Sequence, residues 1–224
     1  MPNYLIVIMN GPPHSGKSTI IDKLVSASHP YGMLSGGYYY ICWHERMINP
    51  VREAVMALFS LDAYSFEAYK DDPILLNEMT PRKAVIDADR CLRVALGREY
   101  LAEILTKEIY KTLHKMPKSN AIDPTHVFLV DCGVEAEFQF LKKEFKDRVK
   151  VLYVYREGRF EFDKGRVQLS QRDGTIYNIT GQLSTAVNDV LLFINDWMEK
   201  GYDKFNEGAK SGVSEEGEEH KPQS

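Results

Sequence analysis

From Asn10 to Ala27 the chain reads NGPPHSGKSTIIDKLVSA. Gly11-Pro12-Pro13-His14-Ser15-Gly16-Lys17-Ser18 meets the pattern G-x-x-x-x-G-K-[S/T] at every specified position. The residue types follow from what a phosphate requires. Glycines let the backbone wrap closely around an anion, and the N–H groups of the loop and of the first helical turn point at it. Pro12 and Pro13 carry no N–H, so the donors begin at His14 and continue through Ser15 and Gly16. Lys17 is expected to reach the β- and γ-phosphates and Ser18 to offer its hydroxyl to Mg²⁺. Thr19 adds a phosphate contact in the first turn. His14 is read as a loop residue rather than a base, since an interior position of such a loop tolerates many side chains.

The flanks have the context this motif needs. Tyr4–Asn10 (YLIVIMN) is an apolar run without polar alternation, which predicts a strand covered on both faces. After the loop, Ile20, Ile21, Leu24 and Val25 share one helical face. Farther along, Gly36–Trp43 predicts a second strand, and Asn49-Pro50 a helix start with an apolar stripe through Val51, Val55, Met56, Leu58 and Phe59. Residues 60–79 are expected to be loop with a short helix. Thr80-Pro81 pairs a capping hydroxyl with a proline at the first helical position, and the helical pattern runs to about Met116 with a break at Gly97. Val127–Cys132 and Val149–Tyr155 predict buried strands separated by a helix over 135–145. Thr175–Ile179 predicts a last strand, and Leu183–Trp197 an amphipathic helix. Strands alternating with helices imply an α/β fold with a doubly wound parallel sheet.

The chain has 224 residues, enough for one domain with a full core. Residues 1–206 are expected to form that domain, and 207–224, with almost no large apolar side chains, an acidic disordered tail. Lys and Arg total 28 against 32 Asp and Glu, a net charge of -4. Five Glu and two Lys lie in the tail, so the body is almost neutral. That balance disfavours a nucleic-acid partner, which asks for a basic excess. Apolar runs such as Leu5–Met9 fall far short of the ~20 residues that span a bilayer, so no membrane partner is expected. The N-terminus shows no basic stretch or small-residue cleavage pattern of a signal peptide. Cys42, Cys91 and Cys132 are odd in number and widely spaced, which predicts neither a disulfide framework nor a zinc site and places the chain in a reducing cytoplasm. The oligomeric state is open, a homodimer included.

A phosphate loop specifies nucleotide phosphates and leaves the reaction open. There is no N-K-x-D base-reading motif of a switch GTPase. About 200 folded residues suit a small kinase with no further module. Transfer between two anions needs cations around both and exclusion of water. The segment 156–174 supplies Arg156, Arg159, Lys164, Arg166 and Arg172 after a parallel strand, and it reads either as a lid closing on the transferring group or as a solvated charged loop. Arg156, Arg159 and Arg166 are the candidate catalytic cations there. For a second anion, Arg46, Arg52, Arg82 and Arg98 fall between residues 44 and 116, where acceptor-binding helices are expected. Arg82, in a first helical turn, would be relieved by an anion nearby. Asp131 ends the strand VFLVD and either supports Mg²⁺ or caps the following helix; the phosphate loop favours the first. Glu45, after the second strand, is the candidate base if the acceptor is a hydroxyl.

On these residues the chain resembles the phage-type deoxynucleoside monophosphate kinases, a branch of the P-loop nucleoside monophosphate kinases. The similar stretches are GPPHSGKST, NPVREAVMALFSL, TPRKAV with ALGREY, LVDCGVEAEF and YNITGQLSTAVNDVL, spread over most of residues 4–200. The resemblance implies ATP and Mg²⁺ as cosubstrates and phosphorylation of a deoxynucleoside monophosphate to the diphosphate, in host cytoplasm for a phage-encoded chain. It implies that Arg82 and Arg98 lie near the acceptor, that Arg156 begins the lid, and that Asn178 to Gly181 lie near the donor base. The chain departs from the family at Gly133, where an arginine is usual, at Asn49, where an acidic residue is, and at Arg52, where a lysine is. A deoxynucleoside or other small-molecule kinase, and a nucleotide-binding regulatory ATPase, remain alternatives.

Overall fold

The computed structural model describes residues 3–28, 32–35, 37–75, 78–115, 124–158 and 168–210, with the backbone alone for Tyr38 and 201–210. The elements run β1 (Tyr4–Asn10), α1 (Lys17–Ser28), β2 (Met33–Ser35), β3 (Tyr38–Glu45), α2 (Asn49–Leu58) and α3 (Ala63–Tyr69). There follow α4 (Pro81–Leu96), α5 (Tyr100–Lys115), β4 (Thr125–Asp131), α6 (Glu135–Phe145), β5 (Val149–Tyr155), β6 (Gly174–Tyr177) and α7 (Leu183–Lys210).

One six-stranded sheet has the order β2-β3-β4-β1-β5-β6. From β3 to β6 all neighbours pair in parallel. The edge strand β2 pairs antiparallel with β3, Met33 opposite Tyr40, so the sheet departs from the all-parallel expectation. The missed signal is Gly36-Gly37, a hairpin dipeptide; Gly37 takes the left-handed conformation (φ 83°) that such a turn requires.

All seven residues of β1 are buried because helices cover both faces. Leu5, Val7 and Met9 point to the face packed by Ile20, Ile21 and Leu24 of α1 and by Val190 and Ile194 of α7. Ile6 and Ile8 point to the opposite face, packed by Leu101, Leu105 and Ile109 of α5 and by Phe138 and Leu141 of α6. The period-two alternation of one strand thus divides the core into two layers. The helix leaving β1 covers one face and those leaving β3 and β4 cover the other. Ligands gather at the carboxyl ends of strands around such a reversal. At that edge Asp131 and residues 44–45 end strands, and Gly11, Arg46 and Arg156 follow them.

Local chemistry accounts for the helix limits. Thr80 Oγ1 accepts from Lys83 N (3.1 Å), Pro81 follows, and Gly97 at φ 101° ends α4. Asp62 Oδ1 accepts from Ser65 N (2.6 Å) and starts α3 in the stretch expected to hold a short helix. Leu58 is exposed rather than part of the α2 stripe, whose buried residues are Val51 and Val55. Helix α7 continues past Trp197 to Lys210, four residues into the expected tail, through good helix formers such as Lys, Glu and Ala. Residues 211–224 lie outside the described residues. Among the described residues no helix is long and apolar enough to cross a membrane.

Candidate functional site

The loop between β1 and α1 is shaped for an anion. His14 (φ 59°) and Gly16 (φ 93°) both adopt left-handed backbone, which turns successive N–H groups toward one side. Such a φ is costly for histidine and is typical of strained functional loops. A Cβ on Gly11 would lie 2.5 Å from the Val154 carbonyl oxygen, and one on Gly16 2.0 Å from Asn178 Nδ2. Gly11 is therefore required by a backbone contact as well as by conformation, while at Gly16 the left-handed φ is the firm constraint, since the Asn178 side chain can shift. The first intrahelical bond of α1 is Ile20 N–H to Gly16 O (3.0 Å), so the N–H groups of Lys17, Ser18 and Thr19 precede it, as at any helix start.

Lys17 is buried, with Nζ donating to Gly11 O (2.8 Å), Pro12 O (2.9 Å) and Ser15 Oγ (3.4 Å). Its charge sits inside the loop, held by the loop's own oxygens. Ser18 and Thr19 are exposed at the start of α1. Asp131 ends β4, with Met9 as its register partner on β1 and Cys132 after it. A serine hydroxyl and a carboxylate are the hard oxygen ligands that Mg²⁺ prefers, and the glycine-walled loop suits phosphates, so the residues present fit both groups.

Two side chains tether the loop from outside, Asn178 and Arg156. Asn178 Nδ2 donates to Ser15 O (2.7 Å), while Asn178 N donates to Tyr155 O (2.9 Å) and so extends the register of β6. Arg156 Nη1 donates to His14 O (3.3 Å) and Nη2 to Thr180 Oγ1 (3.3 Å). Gly181 is left-handed (φ 83°) in the turn before α7. Arg156, Asn178 and the phosphate loop therefore converge. Arg159 and Arg166 lie outside the described residues.

At the other end of the edge, a cavity of about 350 Å³ is lined by His44, Arg46, Asn49, Arg52, Glu53, Met56 and Ala63. It stands at the carboxyl end of β3, against α2 and the start of α3. In the strand order β3-β4-β1, the end of β4 with Asp131 falls between this cavity and the phosphate loop. Arg52 pairs with Glu67 Oε1 (2.9 Å) and lies over the Phe66 ring (4.6 Å to its centroid), so its guanidinium is positioned rather than mobile.

The other expected acceptor residues are placed differently. Arg82 makes a two-pronged pair with Asp71 (2.5 and 3.1 Å) and does not line the cavity. Arg98 is exposed, and its carbonyl accepts from Arg93 Nη1 (2.8 Å). Glu45 is also outside the cavity lining; burial, then the nearby charge of Glu108, hold its carboxyl above the usual range.

Two groupings were not read from the sequence. His44 Nδ1 lies 2.8 Å from Asp22 Oδ1, with Arg46 Nε 3.4 Å from His44 Nε2. Beneath the strand ends, Arg93 bridges Asp89 Oδ2 (2.8 Å) and the buried Glu137 Oε1 (2.7 Å), and Tyr100 donates to Asp89 Oδ1 (2.8 Å). Burial raises the Glu137 carboxyl while Arg93 pulls it back. The network ties α4 to α6 below Cys132. Aspartates and arginines four apart on helices look like ordinary surface pairs in sequence, and nothing in the pattern separates Arg93 from its neighbours.

No protein-family model matches the chain, and no curated protein matches it. Among solved structures it is similar to a Cys556Ala mutant of the Mycobacterium tuberculosis APS kinase CysC, at 13% identity and a TM-score of 0.42, over 89% of this chain and 99% of that one.

Proposed function

We propose that this chain is a phosphotransferase that uses ATP with Mg²⁺ and passes the γ-phosphoryl group to a small anion of the nucleoside monophosphate class. One observation carries the reading: a cavity walled by Arg46 and Arg52 stands on the same sheet edge as the phosphate loop, with Asp131 between them. A phosphate loop alone binds nucleotide. A second cationic cavity beside it is what transfer between two anions requires.

The chain's own residues divide the work. Backbone donors from His14 to Thr19 hold the nucleotide phosphates, the Ser15 N–H turning from Pro12 O, which it meets at 3.3 Å, and Lys17 keeps a positive charge inside that cradle. Ser18 and Asp131 would hold Mg²⁺, which when bound offsets charge on the β- and γ-phosphates. Arg156 faces the loop from the β5 end, and Arg52 and Arg46 orient the acceptor anion. Transfer to the acceptor's phosphate yields the diphosphate, the outcome the family resemblance implies. A hydroxyl acceptor is a second reading, favoured by the placement of His44 at the cavity wall.

The test is ADP release from ATP and Mg²⁺ across the nucleoside and deoxynucleoside monophosphates. Acceptor-dependent release is expected with at least one. A folded, ATP-binding protein that no acceptor stimulates would sink the proposal and leave a nucleotide-binding regulator.

A further inference from the structure

At the end of β3 a histidine and a carboxylate are arranged as a base and its orienter. Asp22 Oδ1 is 2.8 Å from His44 Nδ1, and Arg46 Nε approaches His44 Nε2 at 3.4 Å. An arginine can only donate, so Nε2 is the acceptor and the ring proton resides on Nδ1, donated to Asp22. The basic nitrogen is thereby assigned to Nε2, in a ring that lines the cavity. Asp22 follows Ser18 by four residues on α1, so the two lie on the same helical face. The orienting carboxylate and the phosphate cradle are thus carried by one rigid helix.

Phosphoryl transfer to a monophosphate needs no base, because that acceptor is already an anion. Transfer to a hydroxyl does need one, within hydrogen-bond reach of the proton it removes. We propose that His44, held by Asp22, is the general base for a hydroxyl of the acceptor. The atom phosphorylated is then a sugar hydroxyl oxygen rather than a phosphate oxygen, while the acceptor's own anion is held by Arg46 and Arg52. This rests on the phosphotransferase reading above, with the hydroxyl acceptor of its second reading in place of transfer to the acceptor's phosphate. In the step, the hydroxyl proton passes to His44 Nε2 as the oxygen bonds to the γ-phosphorus. The bond from that phosphorus to the β,γ-bridging oxygen breaks, and its electrons leave on ADP. Drawing Arg46 onto the acceptor's anion takes its Nη2 from Asp22 Oδ1, 3.7 Å away, and releases Nε2 for the hydroxyl.

The charged surroundings agree with a neutral ring. Burial lowers the His44 pKa most, the hydrogen bond to Asp22 works against it, and the Arg46 charge lowers it further. The charges of Asp22 on α1 and Asp131 on β4 act upward, and the net shift is down. Across the cavity stand Arg52 and Glu53 of α2.

The experiment pairs ATP and Mg²⁺ with nucleoside monophosphates that have or lack ribose hydroxyls and identifies products by ³¹P NMR. A new phosphomonoester is expected, with no turnover of the 2′,3′-dideoxy acceptors. A diphosphate formed from dideoxy acceptors as readily overturns the inference and leaves the phosphotransferase reading standing. No acceptor-dependent product at all overturns both. In parallel, His44→Asn keeps a donor for Asp22 and should lower kcat about 10²-fold or more, with ATP affinity and acceptor KM unchanged. The acid limb of its pH–rate profile should vanish, and in Asp22→Asn that limb should move to lower pH. A role limited to docking α1 on β3 predicts an unchanged profile in both variants, and that result also overturns the proposal.

Discussion

The phosphate loop and the cavity share one edge of the sheet, yet they are built in opposite ways. The loop is contiguous, nine residues from Gly11 to Thr19, and its working groups are backbone amides and a single buried lysine. The cavity is assembled from β3, α2 and α3, and what it presents is side chains, His44, Arg46 and Arg52 among them. Backbone chemistry constrains sequence tightly, because Gly11 meets a backbone carbonyl and Gly16 takes a left-handed φ. Side-chain chemistry leaves many sequences equivalent, since an arginine can reach one anion from several positions.

The contrast is tested first at Lys17, the buried side chain inside the backbone cradle. Lys17→Ala should show the largest effect, a fall in acceptor-dependent kcat of about 10²- to 10³-fold, the range for losing one charge-stabilising donor. Steady-state kinetics with the saturating acceptor checks it, and near-normal turnover would place the stabilising charge elsewhere.

Backbone dependence is sharpened by Gly16→Ala. The left-handed φ and the 2.0 Å approach to Asn178 Nδ2 should together cost about 1–3 kcal/mol and weaken nucleotide binding. Adding Asn178→Ala removes the contact and leaves the φ strain, so the double variant should recover only part of the loss in urea unfolding. Full recovery would mean the loop tolerates a side chain and the backbone argument is wrong.

For the cavity, Arg52→Ala should raise acceptor KM about tenfold, one charge-assisted hydrogen bond's worth, with ATP KM unchanged. Arg52→Lys should recover part of it, since the stacking on Phe66 is lost while a charge remains. Equal loss of both KM values would merge the two regions into one site.

The smallest effect is on stability. Burial lowers the folded pKa of His44 below its ordinary 6.5, so the unfolded chain binds the proton more readily. Its contribution is therefore present above pH 6.5 and lost as pH falls through the lowered folded value. The wild-type protein should lose more stability than His44→Asn over that window, measured by denaturant midpoints at matched pH. Parallel curves would show His44 to be solvated as in the unfolded chain.

The fold was largely legible because its signals are local. The run Tyr4–Asn10, the Thr80-Pro81 cap and the Gly97 break each act within a few residues, and each appears where expected. The β2–β3 hairpin was signalled by Gly36-Gly37 and passed over, since three residues make a weak strand pattern. The site was legible in halves. Lys17 and Arg156 meet at the loop, because a motif and a strand end specify them. Asp22 and His44 are 22 residues apart on different elements, and only packing of α1 on β3 joins them. Arg82 illustrates the reverse: a plausible cation in sequence, it does not line the cavity in the fold.

The margins of the sheet have a consequence for how the protein behaves in company. Its two outermost strands are β2, with three residues, and β6, with four. A long open margin invites strands of other molecules to add on, and short ones offer few backbone groups for such growth. β2 pairs with Tyr38–Tyr40, three of the eight residues of β3. Removing the Met33–Ser35 strand would uncover those three residues. Its first consequence would be self-association at high concentration, before any loss of nucleotide binding.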